Sequence, residues 1–101
     1  MLESAYEECL CKELEIRGIV FERQKPLAVV YKGITLDCEY KLDIVVESKV
    51  ILELKSVNRI ESIHEAQLLT YLRLAALKLG ILINFNVPIL KEGIKRIVNN
   101  L

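Results

Sequence analysis

The sequence predicts an α/β or α+β sandwich, a sheet with helices packed on it, in the order α-β-β-β-α-β-β. Apolar residues recur at helical spacing in two separate stretches, β-prone runs punctuated by turn residues lie between them, and two short apolar runs close the chain. With 101 residues the chain is read as one domain, 1–101, small for an enzyme that needs a core and a cleft together. A homodimer would help it.

Leu2, Tyr6, Cys9, Leu10 and Leu14 recur at three- and four-residue intervals and Gly18 follows the last turn, which predicts a first helix over residues 2–17. Val20 to Tyr31 is β-prone but broken by Pro26. Lys32-Gly33 turns the chain into the long segment Ile34 to Val46, and Glu47-Ser48-Lys49 loops it into Val50 to Val57. These runs predict a meander of three antiparallel strands. Ser62-Ile63-His64-Glu65 matches a capping box in which Ser62 and Glu65 satisfy each other's amides, so the second helix starts there. It continues through Ala66, Leu69, Leu72, Ala76 and Leu79 to Gly80. Ile81 to Phe85 reads as a buried strand and Ile94 to Val98 as the last one.

An apolar fraction of 52% supports a packed core, while the longest apolar run, around Ile81 to Ile83, is far too short to span a bilayer. Met1-Leu2-Glu3-Ser4 lacks the basic start and apolar stretch of a signal peptide, so the expected compartment is cytoplasmic. Cys9, Cys11 and Cys38 form no zinc pattern, because residues two apart on a helix point roughly 200° apart; they read as reduced packing thiols. Fourteen basic and fourteen acidic residues give a net charge of zero, which advertises no polyanionic partner. The charges are nevertheless segregated. Residues 66–101 carry Arg73, Lys78, Lys91, Lys95 and Arg96 against Glu92 alone, which suits either a basic rim beside acidic residues or ordinary solvated surface.

Asp43, Glu53 and Lys55 are the informative charges, since they fall among Leu, Ile and Val in segments expected to be strands. A charge in such a place costs several kcal/mol unless it is paired or holds a metal. If the loop is centred on Ser48, residue 43 opposes residue 53, and Lys55 projects from the same face as Glu53 by the period-two rule. Two adjacent carboxylates repel, and a divalent cation between them removes the repulsion; hard oxygen ligands without a His or Cys cluster point to Mg²⁺ or Mn²⁺. Such an ion lowers the pKa of a bound water and neutralises charge on a phosphate, with Lys55 placed to orient the water or stabilise the transition state. Glu39-Tyr40-Lys41 and Glu47-Ser48-Lys49 repeat the Glu-x-Lys spacing, but the second falls in the turn and the first has no acid opposite it. The same residues also fit a cross-strand ion pair, Asp43–Lys55 or Glu53–Lys41, on an exposed sheet face.

On the second helix His64, Gln67 and Tyr71 lie at i, i+3 and i+7, so an amide and a phenol sit one turn apart, suited to a phosphate or a base edge. The alternative is that Tyr71 packs, Gln67 is surface and His64 belongs to the cap region. Glu3 and Glu7 lie one turn apart on the first helix, and either can project a further carboxylate or merely face water.

Asp43, Glu53-Leu54-Lys55 and Gln67-x-x-x-Tyr71 resemble the PD-(D/E)XK nuclease superfamily, in particular its RecB-like branch with the QxxxY motif. More closely, Glu3-Ser4-Ala5-Tyr6-Glu7, Glu53-Leu54-Lys55, His64-Glu65-Ala66-Gln67-Leu68-Leu69 and Ile83-Asn84-Phe85 look like the GxxExxY family, across essentially the whole chain. The glycine in that family's name would precede Met1, so the N-terminus reads as trimmed or as starting late, and Lys41 stands where an arginine is common. The resemblance implies a three-layer nuclease-like core, a mixed sheet flanked by helices. It implies Asp43 and Glu53 as metal ligands, Lys55 as the catalytic lysine, Gln67 and Tyr71 on the substrate side, and Glu3 as a helix-borne helper. The expected function is Mg²⁺-dependent (or Mn²⁺-dependent) hydrolysis of phosphodiester bonds in DNA. The alternatives are a non-cleaving nucleic-acid-binding module and an oligomerisation module with a vestigial site. So short a chain shows no specificity loops, which implies low intrinsic specificity or a partner protein that supplies it.

Overall fold

The chain runs α1 (Glu3–Ile16), β1 (Phe21–Tyr31), β2 (Ile34–Val46), β3 (Val50–Lys55), α2 (Ser62–Ala75), β4 (Leu79–Asn84), a short 3₁₀ turn (Leu90–Gly93) and β5 (Ile94–Val98). This computed structural model describes residues 2–100, and the backbone alone for residues 31 and 37–39, so the thiol expected to pack at Cys38 lies outside the described side chains. The five strands lie side by side in the order β1-β2-β3-β4-β5. β1, β2 and β3 form the expected antiparallel meander, β4 joins β3 in parallel through the α2 crossover, and β5 returns antiparallel on β4. The sheet is therefore mixed.

Each face carries one helix. Leu68, Tyr71 and Leu72 of α2 pack with Leu27, Leu42, Val45, Ile51, Leu82 and Ile97. Cys11 and Leu14 of α1 pack with Ile44, Leu52, Leu54 and Ile83 on the other side. Residues 51–54 of β3 are all buried, which is why that segment reads as a nearly continuous apolar run rather than an alternating one. Each of its three aliphatic side chains contributes on the order of 2 kcal/mol by burial. This gives the three layers that the family resemblance implies.

Several boundaries differ from the sequence expectation, each for a local reason. The buried stripe of α1 is Glu7, Cys11 and Leu14, with Tyr6 and Leu10 half-buried, whereas Leu2 and Cys9 are exposed. The helix is thus rotated relative to the expected stripe. It ends as anticipated at Gly18 (φ 67°), where the Gly18 and Ile19 amides donate back to Glu15 and Leu14. Pro26 does not break β1. It lies on an edge strand opposite Lys41, where a missing N–H is tolerated. β3 stops at Lys55, two residues short of Val57.

The start of α2 is capped one residue earlier than expected. Glu61, not Ser62, is the N-cap, and the box is closed by His64, whose Nδ1 accepts the Glu61 amide at 2.9 Å. The helix also ends a turn earlier, at Ala75, because Ala76 adopts φ 56° and the Leu77 amide reaches Leu72 O at 2.9 Å, a Schellman closure without glycine. Leu79 and Gly80 belong to β4 instead. Gly80 is there for contact: a Cβ on it would lie 2.8 Å from Leu68 Cδ2, so its absence lets α2 sit close on the sheet.

Candidate functional site

The β2–β3 ladder pairs Val46 with Val50, Val45 with Ile51 and Ile44 with Leu52, and the same register puts Asp43 opposite Glu53. Regular pairing ends one step before that pair. In place of ladder bonds, the Asp43 amide donates to Glu53 Oε1 at 3.3 Å and the Leu54 amide donates to Asp43 Oδ2 at 2.8 Å. Two carboxylates thus satisfy the backbone where the strands part. The expectation that both acids simply share one face of a regular pleat needs correction. Leu42 and Val45 both join the α2 layer while Ile44 joins the α1 layer, so the alternation is interrupted at Asp43.

The neighbouring strand is irregular at the same point. Gln24, between the pairs Arg23–Ile44 and Lys25–Leu42, has φ 47°, a left-handed backbone that residues other than glycine rarely adopt. It is held there by Glu7, whose Oε1 accepts Gln24 Nε2 at 2.8 Å and whose Oε2 accepts Arg23 Nε and Nη2 at 3.2 and 2.8 Å. Arg23 Nη2 also reaches Glu8 at 2.8 Å. Glu7 is therefore buried and committed. The sequence reading missed this clamp, although a signal existed: Glu7 lies four residues before Cys11 and seven before Leu14, on the buried stripe, where a carboxylate needs a partner.

Glu3 is exposed and lines a hollow of about 250 Å³ with Ser4, Glu7, Gln24, Asp43 and Leu54. Among the described residues no group of three or more His, Cys, Asp or Glu side chains is placed to hold an ion. Ile51 packs in the α2 layer, and Glu53 and Lys55, two and four residues on, project from the same face of β3. Lys55 Nζ donates to Gln67 Oε1 at 3.4 Å, and Tyr71 is buried one turn further along the helix. His64 is not brought to the carboxylates: it is used in the cap and borders a separate depression with Val57, Asn58, Arg59 and Glu61. The basic residues Lys95 and Arg96 sit on β5, two strands from β3, with Lys95 near Glu65 at 3.8 Å, so they form no rim on the pair. Neither alternative ion pair, Asp43–Lys55 or Glu53–Lys41, is among the salt bridges formed by the described residues.

The electrostatics follow from burial and proximity. Burial, then the facing Asp43 carboxylate, push the Glu53 carboxyl up to about 8, against the modest pull of Lys55. Burial and then the Glu53 charge raise the Tyr71 phenol, so it remains a neutral donor beside the acids. A proton shared in such a pair is what a hard cation displaces. Two carboxylates with backbone-fixed orientation fit the donor set Mg²⁺ takes from proteins, which is one or two carboxylates with water and phosphate oxygens completing the shell.

A model of the PD-(D/E)XK nuclease superfamily matches residues 1–97. The chain belongs to the PD-(D/E)XK nuclease superfamily. Comparison with curated proteins found no match, and neither did comparison with solved structures. PD-(D/E)XK proteins are generally nucleases and usually use divalent metals, and the mixed sheet between two helices is consistent with their fold. Two stretches singled out in the sequence have structural roles within this PD-(D/E)XK core. Tyr6 stacks on Phe85 with ring centroids 4.6 Å apart and planes at 8°, joining α1 to the end of β4. Asn84, buried, accepts the Val57 and Asn86 amides and donates to Val57 O, which ties down the chain leaving Lys55.

Proposed function

We propose that this chain is a Mg²⁺- or Mn²⁺-dependent nuclease that hydrolyses phosphodiester bonds in DNA, of the RecB-like, GxxExxY type. The observation that carries the reading is the pair of opposed carboxylates, one buried and pushed up to about 8, oriented by backbone amides at the point where two strands part. Asp43 and Glu53 hold the ion. Once bound, it supplies Lewis acidity toward a phosphate oxygen and a more acidic water. Lys55, positioned through Gln67, offsets negative charge that develops on the phosphoryl oxygens. Gln67 and Tyr71 hold the strand from α2, with the Tyr71 hydroxyl available to donate to a phosphate oxygen. Glu3 borders the approach to Asp43 and makes a smaller, charge-based contribution. His64 has a weaker claim to substrate contact, through its position at the head of the same helix.

Purified chain incubated with single- and double-stranded DNA in Mg²⁺ or Mn²⁺ tests the reading. Glu53→Gln and Lys55→Ala are expected to lose at least about a hundred-fold in rate, in line with removal of an electrostatic stabiliser. Equal rates in wild type and both variants overturn it. Val30, Ile34 and Leu36 expose apolar surface on the β1–β2 hairpin, which supports pairing with a second copy or a specificity-conferring partner. Sedimentation at micromolar concentration tests the dimer.

A further inference from the structure

Beside the carboxylates lies a second hollow, of about 400 Å³, between the β1–β2 hairpin and α2. We propose that this hollow, lined by Val29, Tyr40, Gln67, Thr70, Tyr71 and Leu74, is a subsite for one unpaired nucleobase of the strand being cut. The proposal rests on the reading of Asp43 and Glu53 as a nuclease centre and adds what that centre selects.

Its lining is chemically particular. Among the described residues no charged side chain lines it, which suits a neutral group better than a phosphate. Tyr40 is about half exposed, at 47%, and stands against the buried Tyr71 ring with centroids 5.8 Å apart and planes at 54°; Tyr40 is thus an accessible aromatic wall over a fixed aromatic floor. Val29 and Leu74 supply aliphatic sides, while Gln67, Thr70 and Tyr71 supply the few polar atoms that pockets for planar ligands use for orientation. The volume lies toward the lower end of small-ligand pockets, matched to a single base and not to a stack.

The hollow also shares residues with the carboxylate site. Gln67 lines it and receives Lys55 Nζ, and Tyr71 lines it and feels the charge of Glu53 and Asp43. A base lodged here therefore lies next to the phosphate that reaches the acids, as adjacent parts of one strand require. A paired base cannot enter, since both its faces are stacked and its edge is engaged; it must first be extruded or come from a single strand. The centre is thereby directed to single-stranded ends, flaps or gaps.

The test uses the full chain carrying Glu53→Gln, which leaves the strand intact, and a short oligodeoxynucleotide with a terminal 2-aminopurine whose fluorescence falls on stacking. Quenching is expected with the single strand and not with a duplex in which the probe is paired. Adding Tyr40→Ala is expected to weaken binding about ten-fold, the usual effect of losing one base–aromatic stack, whereas Tyr40→Phe retains it. A ribo-oligonucleotide run alongside shows which sugar is accepted, and quenching on either strand supports the subsite. Unchanged affinity in the Tyr40→Ala protein, or equal quenching by the duplex, overturns it. If wild type cleaves DNA in a Glu53-dependent way while Tyr40→Ala binds normally, the subsite falls and the nuclease stands. If quenching depends on Tyr40 but no strand is ever cut, the base site stands and the nuclease falls.

Discussion

Glu53 is a carboxyl group whose folded environment opposes its own ionisation, and that has consequences for stability and for metal binding. Between the ordinary value of 4.5 and about 8 the folded protein holds a proton that the unfolded chain has released. Without metal, stability therefore falls as pH rises through this window, with a limiting slope of about 1.4 kcal/mol per pH unit, and the contribution is fully present only below the lower value. Denaturant midpoints in EDTA at several pH values, compared with Glu53→Gln, should show wild type losing ground to the variant toward pH 8; a constant difference would mean that Glu53 is not protonated in the fold. Divalent binding needs the ionised form, so Mg²⁺ affinity should rise with pH up to about 8 and binding should release a proton, which calorimetry in buffers of different ionisation enthalpy measures. Asn84 is the structural counterpart at this scale. Replacing it by Ala leaves the Val57 and Asn86 amides without their acceptor and should cost about 1–3 kcal/mol in urea unfolding.

At the scale of single elements, the two helices end by the same closure with different residues. α1 places Gly18 at the left-handed position and α2 places Ala76 there, at φ 56°, where a Cβ is crowded. Ala76→Gly should therefore stabilise the protein by up to about 1 kcal/mol, read as a higher denaturant midpoint with unchanged slope. Gly80→Ala should do the reverse. Its Cβ meets the buried Leu68 side chain at 2.8 Å, so Leu68 must repack or α2 move, and the midpoint should fall by about 1–3 kcal/mol in equivalent free energy. These two positions also show what the sequence made legible. Glycine signalled the end of α1 correctly but misplaced the end of α2, because Gly80 serves contact between layers, which helical periodicity does not register. Likewise the serine-to-glutamate spacing at 62–65 resembled a cap, yet Glu61 and His64 form it, since a histidine Nδ1 can accept the N-cap amide as a glutamate does.

At the scale of the whole molecule, β3 pairs with β2 only over Ile44 to Val46, so the far end of the β1–β2 hairpin is a two-stranded ribbon outside the three-layer core. Backbone amides from Val29 to Leu36 should exchange with deuterium well before those of Ile51 to Leu54, which are covered by a helix on each face. Similar rates in both segments would show that something else covers the ribbon. The antiparallel meander, the second helix and the two closing strands were all legible, because strand and turn patterning over ten-residue windows is a local property of the chain, whereas the parallel pairing of β4 with β3 was not. The register that makes Asp43 face Glu53 was legible too, since a short loop leaves little choice of pairing. The Glu7–Arg23–Gln24 clamp was not, because it joins residues sixteen and seventeen apart whose meeting depends on how α1 docks.

The amino-acid order by itself determined that Asp43 would come opposite Glu53 with Lys55 two residues on, since loop length is counted along the chain. Only the tertiary structure decided how they stand. The left-handed Gln24, the inverted pleat at Asp43, the burial that protonates Glu53 and the aromatic hollow beside it all arise where separate elements pack. Packing sets direction and solvation, and neither is written in the spacing of residues.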